Sequence, residues 1–293
     1  MSSRPHAAFA AIALPGLFVL LWSTGFIGAK LGLPYAEPTT FLIVRFAIIT
    51  MLLAGFAGLT RAPWPTSWRE TGHIVVAGIL MQAVYLGGTF SAIYHGVPAG
   101  IAALIVGIQP LLVAAVAGPV LNEQVTMRQW AGLALGLGGV LLVVWTKLDL
   151  GIGSMLGYGL AGLALLGITV GTVYQKKFCP QIDLRSGNAI QYAAAVVVLA
   201  PFALLFEDRV IEWSGEFIFA LGWLCIVLSL GAISLLFSLI RRGGAAQVSS
   251  LFFLVPPCTA LVAYFLFGET LNLLALLGMA ATMVGVALVN QKR

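Results

Sequence analysis

The chain of 293 residues is 60% hydrophobic and 9% charged, with a mean hydropathy of +1.04 and a formal net charge of +5. A soluble domain carries about 25% charged residues, so these values exclude an ordinary water-facing surface, and the scatter of the basic residues argues against a nucleic-acid binder. Cys179, Cys225 and Cys258 are odd in number and form no CxxC pair, which predicts neither a disulfide framework nor a metal site.

Ala7 to Ala29 contains no charged residue. That is longer than a signal-peptide core and matches the roughly 20 apolar residues that cross a bilayer. Charges and turn residues then cut the chain into ten apolar segments, near 8–33, 37–59, 71–94, 97–120, 127–146, 152–175, 187–206, 215–239, 245–267 and 271–290. Each is expected to be a helix, because lipid offers no partner to an open backbone, and a β-barrel would show short alternating segments instead. The predicted fold class is an all-α integral membrane protein with ten transmembrane helices.

The stretch from Ala99 to Val144 is written twice. Shifted by 146 positions, the distance from Pro110 to Pro256, it also brings Glu123 onto Glu269, Gly132 onto Gly278 and Gly139 onto Gly285. The same shift pairs Lys30 with Lys176, Arg45 with Gln191 and Phe46 with Tyr192. Glycine and alanine coincidences are cheap in so apolar a chain; proline, glutamate and lysine coincidences at one offset are not. Two five-helix repeats follow, 1–147 and 148–293, joined by a short linker at Lys147–Gly153. Five is odd, so the second copy crosses the membrane upside down. Inverted repeats of this kind mark alternating-access transporters, which bind substrate near the midplane between the halves.

Loop charges set the orientation. With the N-terminus inside, Arg4, Arg61, Arg69, Arg128, Lys176, Lys177, Arg185, Arg241, Arg242, Lys292 and Arg293 face the cytoplasm, leaving only Lys30, Lys147 and Arg209 outside. The positive-inside rule places both termini in the cytoplasm.

The chain resembles the drug/metabolite transporter superfamily, specifically its ten-span EamA-type exporters. The residues that carry the likeness are Leu21-Trp22-Ser23-Thr24-Gly25-Phe26 with Lys30, then Pro38 followed by Arg45-Phe46, and the twice-used series Pro110, Glu123, Gly132, Gly139 and Pro256, Glu269, Gly278, Gly285. The resemblance covers essentially the whole chain. It implies a bacterial inner-membrane exporter with a basket of helices around a central cavity, working without a cofactor. The family exports amino acids, other metabolites and cationic drugs, and members structurally similar to this sequence include aromatic amino-acid exporters. Gln191, where the second repeat could have carried an arginine, makes the halves inequivalent.

Among single residues, Arg45 stands out. It lies about 13 Å into its span at 1.5 Å per residue, where a charge is costly and faces a cavity or the bundle interior. A guanidinium there can hold both oxygens of a substrate carboxylate; the alternative is a structural pairing with Glu37, backbone carbonyls or a helix end. Trp22, Gln82, Tyr85, Gln109, Gln191 and Tyr192 lie within spans and suit an amphipathic zwitterion, with aromatic faces for its side chain and polar groups for its charged ends. Each has a structural alternative, as core or as helix–helix glue. Lys30 is a further candidate, or a lysine snorkelling to the interface. Pro110, Pro256 and Pro257 are candidate hinges or static kinks. His95 reads as a loop histidine.

No HExxH, GxSxG, P-loop or Cys/His site is present, so no enzyme and no metal is expected. The expected partners are a small-molecule substrate, an amino acid for preference, and the bilayer, with the protein a monomer. A multidrug exporter of cations is the alternative within the superfamily, and a non-transporting scaffold the alternative outside it. The lack of a deep carboxylate and the depth of Arg45 tilt the reading toward amino acids.

Overall fold

The computed structural model describes residues 4–145, 154–267 and 272–291; the linker expected at Lys147–Gly153, with the repeat boundary, and Glu269, Lys292 and Arg293 lie outside them. The described residues contain ten helices long and apolar enough to cross a membrane: α1 (Ala13–Gly32), α2 (Pro38–Leu59), α3 (Trp68–Tyr94), α4 (Gly100–Leu121), α5 (Met127–Val144), α6 (Met155–Phe178), α7 (Leu184–Phe206), α8 (Gly215–Arg242), α9 (Ala245–Val262) and α10 (Leu273–Asn290). The β pairing among them is an isolated bridge between Ala36 and Ile211.

Caps move some ends past the apolar segments. The Ser67 side chain accepts from the Glu70 amide and starts α3 at Trp68 instead of 71, and the Asp183 side chain accepts from the Arg185 amide and starts α7 at Leu184 instead of 187. A side-chain oxygen satisfies a helical N–H that has no partner within the helix, so polar residues can open a helix before its apolar run begins. The Arg185 guanidinium holds the Asp183 carboxyl below the usual carboxylate range.

The duplication is visible to the residue. The 146-residue shift carries the start of α2, Pro38, onto that of α7, Leu184, and both ends of α5 onto those of α10, while the N-cap Thr126 maps onto the N-cap Asn272. The images also touch as a two-fold pair would. A Cβ on Gly132 would lie 2.7 Å from the Gly285 carbonyl and one on Gly285 2.6 Å from that of Gly132, while Gly139 and Gly278 meet reciprocally at 2.6 Å. Small residues let α5 and α10 approach this closely. On the neighbouring axis the rings of Phe46 in α2 and Tyr192 in α7, also repeat images, pack 5.2 Å apart and are both buried.

Four spans are irregular, in matching pairs. α3 contains a π-helical turn at Ile79–Val84 and α8 one at Leu224–Ala232. α4 is interrupted between Val106 and Gln109, and α9 tightens to a 3₁₀ turn at Leu251–Leu254. The prolines expected to kink long helices stand in the first turn of the helix that resumes: Pro110 just after Gln109, and Pro256 and Pro257 just after Val255. There a missing N–H costs nothing, so the interruption lies ahead of each proline.

The two ends of the bundle differ in charge. At the acidic end, Glu207 accepts from the amides of Thr39 and Thr40 at 2.7 and 2.6 Å, and Glu37 accepts from that of Asp208 at 2.6 Å. Each carboxylate thus ties the two repeats together. At the basic end, Lys176 pairs with Glu123 at 2.6 Å and donates to the Gly243 carbonyl, while Glu123 accepts from the Ala245 amide at 2.8 Å. Lys176, which reads from sequence as a topology charge, is thus part of a clamp across three spans. Lys176→Glu and Glu123→Lys are each expected to lower the melting temperature in detergent. The double swap should recover part of the loss, since the lysine it places at 123 cannot accept from Ala245.

Candidate functional site

Between α1, α2, α3 and α8 lies a narrow gap. Trp22 and Ala29 of α1, Tyr85 and Phe90 of α3, and Leu224 and Leu228 of α8 give it aromatic and aliphatic walls, and Arg45 is the ionised side chain among its lining residues. Arg45 is 2% exposed. Its Nε and Nη2 both donate to the Ser229 hydroxyl, at 3.2 and 3.0 Å, and its Cζ lies 5.7 Å from the Phe46 ring centroid. Two of the five guanidinium N–H groups therefore share one neutral oxygen, and no ion pair reaches Arg45 among the described residues. Glu37, the structural partner considered from sequence, is spent on the amides of Asp208 and Arg209.

Trp22 stacks on Tyr85, with centroids 6.4 Å apart and planes at 8°, and meets Phe252 edge-on at 5.2 Å. This pair separates the Arg45 gap from a second, smaller one, lined by Gly107 of the α4 interruption and by Phe252 and Pro256 of α9. The irregular stretches of α4 and α9 thus lie on the far side of Trp22 and Tyr85 from Arg45.

Arg45, Trp22 and Tyr85 are thus brought together. Tyr192 sits behind them, its ring on Phe46 and its hydroxyl near Ser229 without a bond of normal geometry. Gln109 donates to Ser249 at 3.2 Å and Thr172 at 3.4 Å, Gln191 donates to Gln175 at 2.8 Å, and Gln82 is 1% exposed; none of the three amides lines either gap. Pro256 lines the second gap, whereas Pro110 and Pro257 are buried and line neither gap. Lys30 is exposed and lines neither gap, as a snorkelling lysine would be. His95 is exposed at the end of α3.

Ser229 was not legible as a site residue, because a lone serine in the apolar run Leu224–Ile233 looks like helix filler. The repeat held the signal: α8 is the image of α3, which already carried two candidates. Phe90 and Thr89 lie one turn beyond Tyr85 and were missed for the same reason. No cluster of metal-ligating side chains occurs among the described residues.

A family model described as the EamA-like transporter family matches residues 10–145 and again 155–291. Similar proteins include an uncharacterized transporter, YvbV, of Bacillus subtilis, 28% identical over 95% of this chain and 91% of that one. A probable amino-acid metabolite efflux pump of Salmonella typhimurium is 25% identical over 92% and 91% of the two chains. An uncharacterized inner membrane transporter, YedA, of Escherichia coli is 27% identical over 95% and 89%. One solved crystal structure shares the fold, with a TM-score of 0.77 over 96% of both chains at 21% identity. With two matched stretches covering most of its length and ten membrane-spanning helices, the chain is a multi-pass membrane transporter and belongs to the EamA-like transporter family.

Proposed function

We propose that this transporter exports amino acids, with a preference for aromatic and apolar ones, by alternating access across a bacterial inner membrane. The observation that supports this most is Arg45: a buried guanidinium with donors to spare, held by one hydroxyl, on the wall of an otherwise aromatic and aliphatic gap. A carboxylate complements the guanidinium fork bidentately, and Trp22, Tyr85 and Phe90 offer faces to an apolar side chain. No acidic side chain lines either gap, so a cationic drug finds no counter-charge there. The Salmonella relative, a probable amino-acid metabolite efflux pump, points the same way.

The basic end, with Arg61, Arg69, Arg128, Lys176, Lys177, Arg185, Arg241 and Arg242, takes the cytoplasmic side by the positive-inside rule, which puts both termini inside and the Arg45 gap nearer the outer face.

The test is release of labelled phenylalanine, threonine and a quaternary ammonium dye from proteoliposomes, with and without a pH gradient. Phenylalanine is expected to leave fastest. Release of the dye alone would replace the amino-acid reading with a multidrug one. With no carboxylate on the wall of either gap, the rate is expected to change less than about twofold when the pH gradient is dissipated, and a strict dependence on the gradient would count against this site as drawn.

A further inference from the structure

The repeat image of the Arg45 gap carries three amides. Under the 146-residue shift Arg45 maps onto Gln191, Ala29 onto Gln175, Leu228 onto Gln82 and Leu224 onto Gly78. In this conformation the image is shut. A Cβ on Gly78 would lie 2.5 Å from the Gln191 Cα, one on Gly171 would strike Met81, and one on Gly167 would lie 3.0 Å from the Leu80 carbonyl. The shut region nevertheless holds polar atoms that closure leaves unsatisfied. Gln82 Oε1, Gln191 Oε1 and, one turn before it on α7, Asn188 Nδ2 have no hydrogen-bond partner, and all three residues are 1–2% exposed. Buried amides without partners are costly, and an apolar side chain would pack here more cheaply, as Leu228 does at the image of Gln82.

We propose that Gln82, Gln175 and Gln191 form a second substrate site, which opens toward the basic end when the Arg45 gap closes and binds the charged ends of a zwitterionic amino acid through neutral hydrogen bonds. Arg45 and Gln191 each lie seven residues into their helices, about 10 Å from opposite ends at 1.5 Å per residue, with the Phe46–Tyr192 ring pair between them. The substrate is therefore handed past that pair, from amides on one side to a guanidinium on the other. Amides both donate and accept, so either end of the zwitterion can be held there. The absence of a fixed charge makes this site the weaker one. The ligand rests on the amino-acid reading above; the location rests on the repeat and the orphaned atoms alone.

The test uses the full-length protein reconstituted in one orientation, with the half-saturating phenylalanine concentration measured separately from each face. Gln191→Met and Gln82→Leu, the second copying the repeat image, are expected to raise that concentration about tenfold from the basic face, with less than a twofold change from the acidic face. Arg45→Lys is expected to show the opposite sidedness. Equal shifts on both faces, or none in variants whose melting temperature is unchanged, would overturn the second site. Gln191→Cys gives a readout independent of the ligand. Alkylation by a membrane-impermeant maleimide from the basic face supports the site, and full resistance from that face while transport proceeds overturns it. If phenylalanine is not carried but the cysteine is labelled, the amino-acid reading falls and the second site stands.

Discussion

Replacing Arg45 by alanine is expected to reduce phenylalanine export about 100-fold while leaving the melting temperature in detergent unchanged or raised. Hydrogen bonds to a charged group contribute about 1.5–3 kcal/mol, and a carboxylate on a guanidinium makes two of them, so the lower end of that range already gives a loss of about two orders of magnitude in apparent affinity at 1.4 kcal/mol per decade. The stability half of the expectation comes from the pairing. Arg45 is 2% exposed and anchored by the Ser229 hydroxyl without a carboxylate, so its desolvation is poorly compensated in the empty protein. Removing it relieves that cost. Arg45→Lys keeps the charge without the fork and should fall between, and Ser229→Ala, which frees the guanidinium to swing, should cost only a few-fold. If Arg45→Ala transports normally, the carboxylate reading ends.

The second large effect belongs to the seam between α5 and α10. Gly285→Leu is expected to abolish the monodisperse folded species on size exclusion, and Gly285→Ala to destabilise by about 1–3 kcal/mol, the usual range for overpacking a close contact. The added Cβ would sit 2.6 Å from both the Gly132 carbonyl and the Gly136 amide. These are backbone atoms, which cannot rotate away as a side chain can. Gly138 provides the control on the same helix pair: nothing lies within 4 Å of its Cβ position, and Gly138→Ala should be neutral or slightly stabilising through helix propensity. Equal effects at 138 and 285 would mean that the seam is looser than described.

Much of this architecture was legible in the sequence because apolar length and duplication are both linear properties. The shift found from Pro110 and Pro256 also relates the helix ends of one repeat to those of the other, such as Met127 to Leu273. The site was only partly legible. Arg45, Trp22 and Tyr85 were found because a charge or an amphipathic ring inside a span is conspicuous. Ser229 and Phe90 were not, because what matters about them is the direction they face. Lys30 was picked on charge, yet one turn of helix separates a cavity lysine from an interfacial one, and composition cannot see which way it leans. The amides Gln82 and Gln191, which from sequence suit the same cavity as Arg45, sit beyond it, since a depth estimate along one helix says nothing about which neighbours close over it.

The paired π-turns have a consequence for insertions and deletions. A π-turn holds one residue more than an α-helical turn, and each residue of an α-helix advances it by about 100°. A gene that lost a single codon within Ile79–Val84 would encode a helix of nearly the same hydropathy with more regular hydrogen bonding. Tyr85, Thr89 and Phe90, which now face Arg45 across the gap, would be turned by about 100° toward other neighbours, and a span still fit to insert would have lost one wall of its binding site.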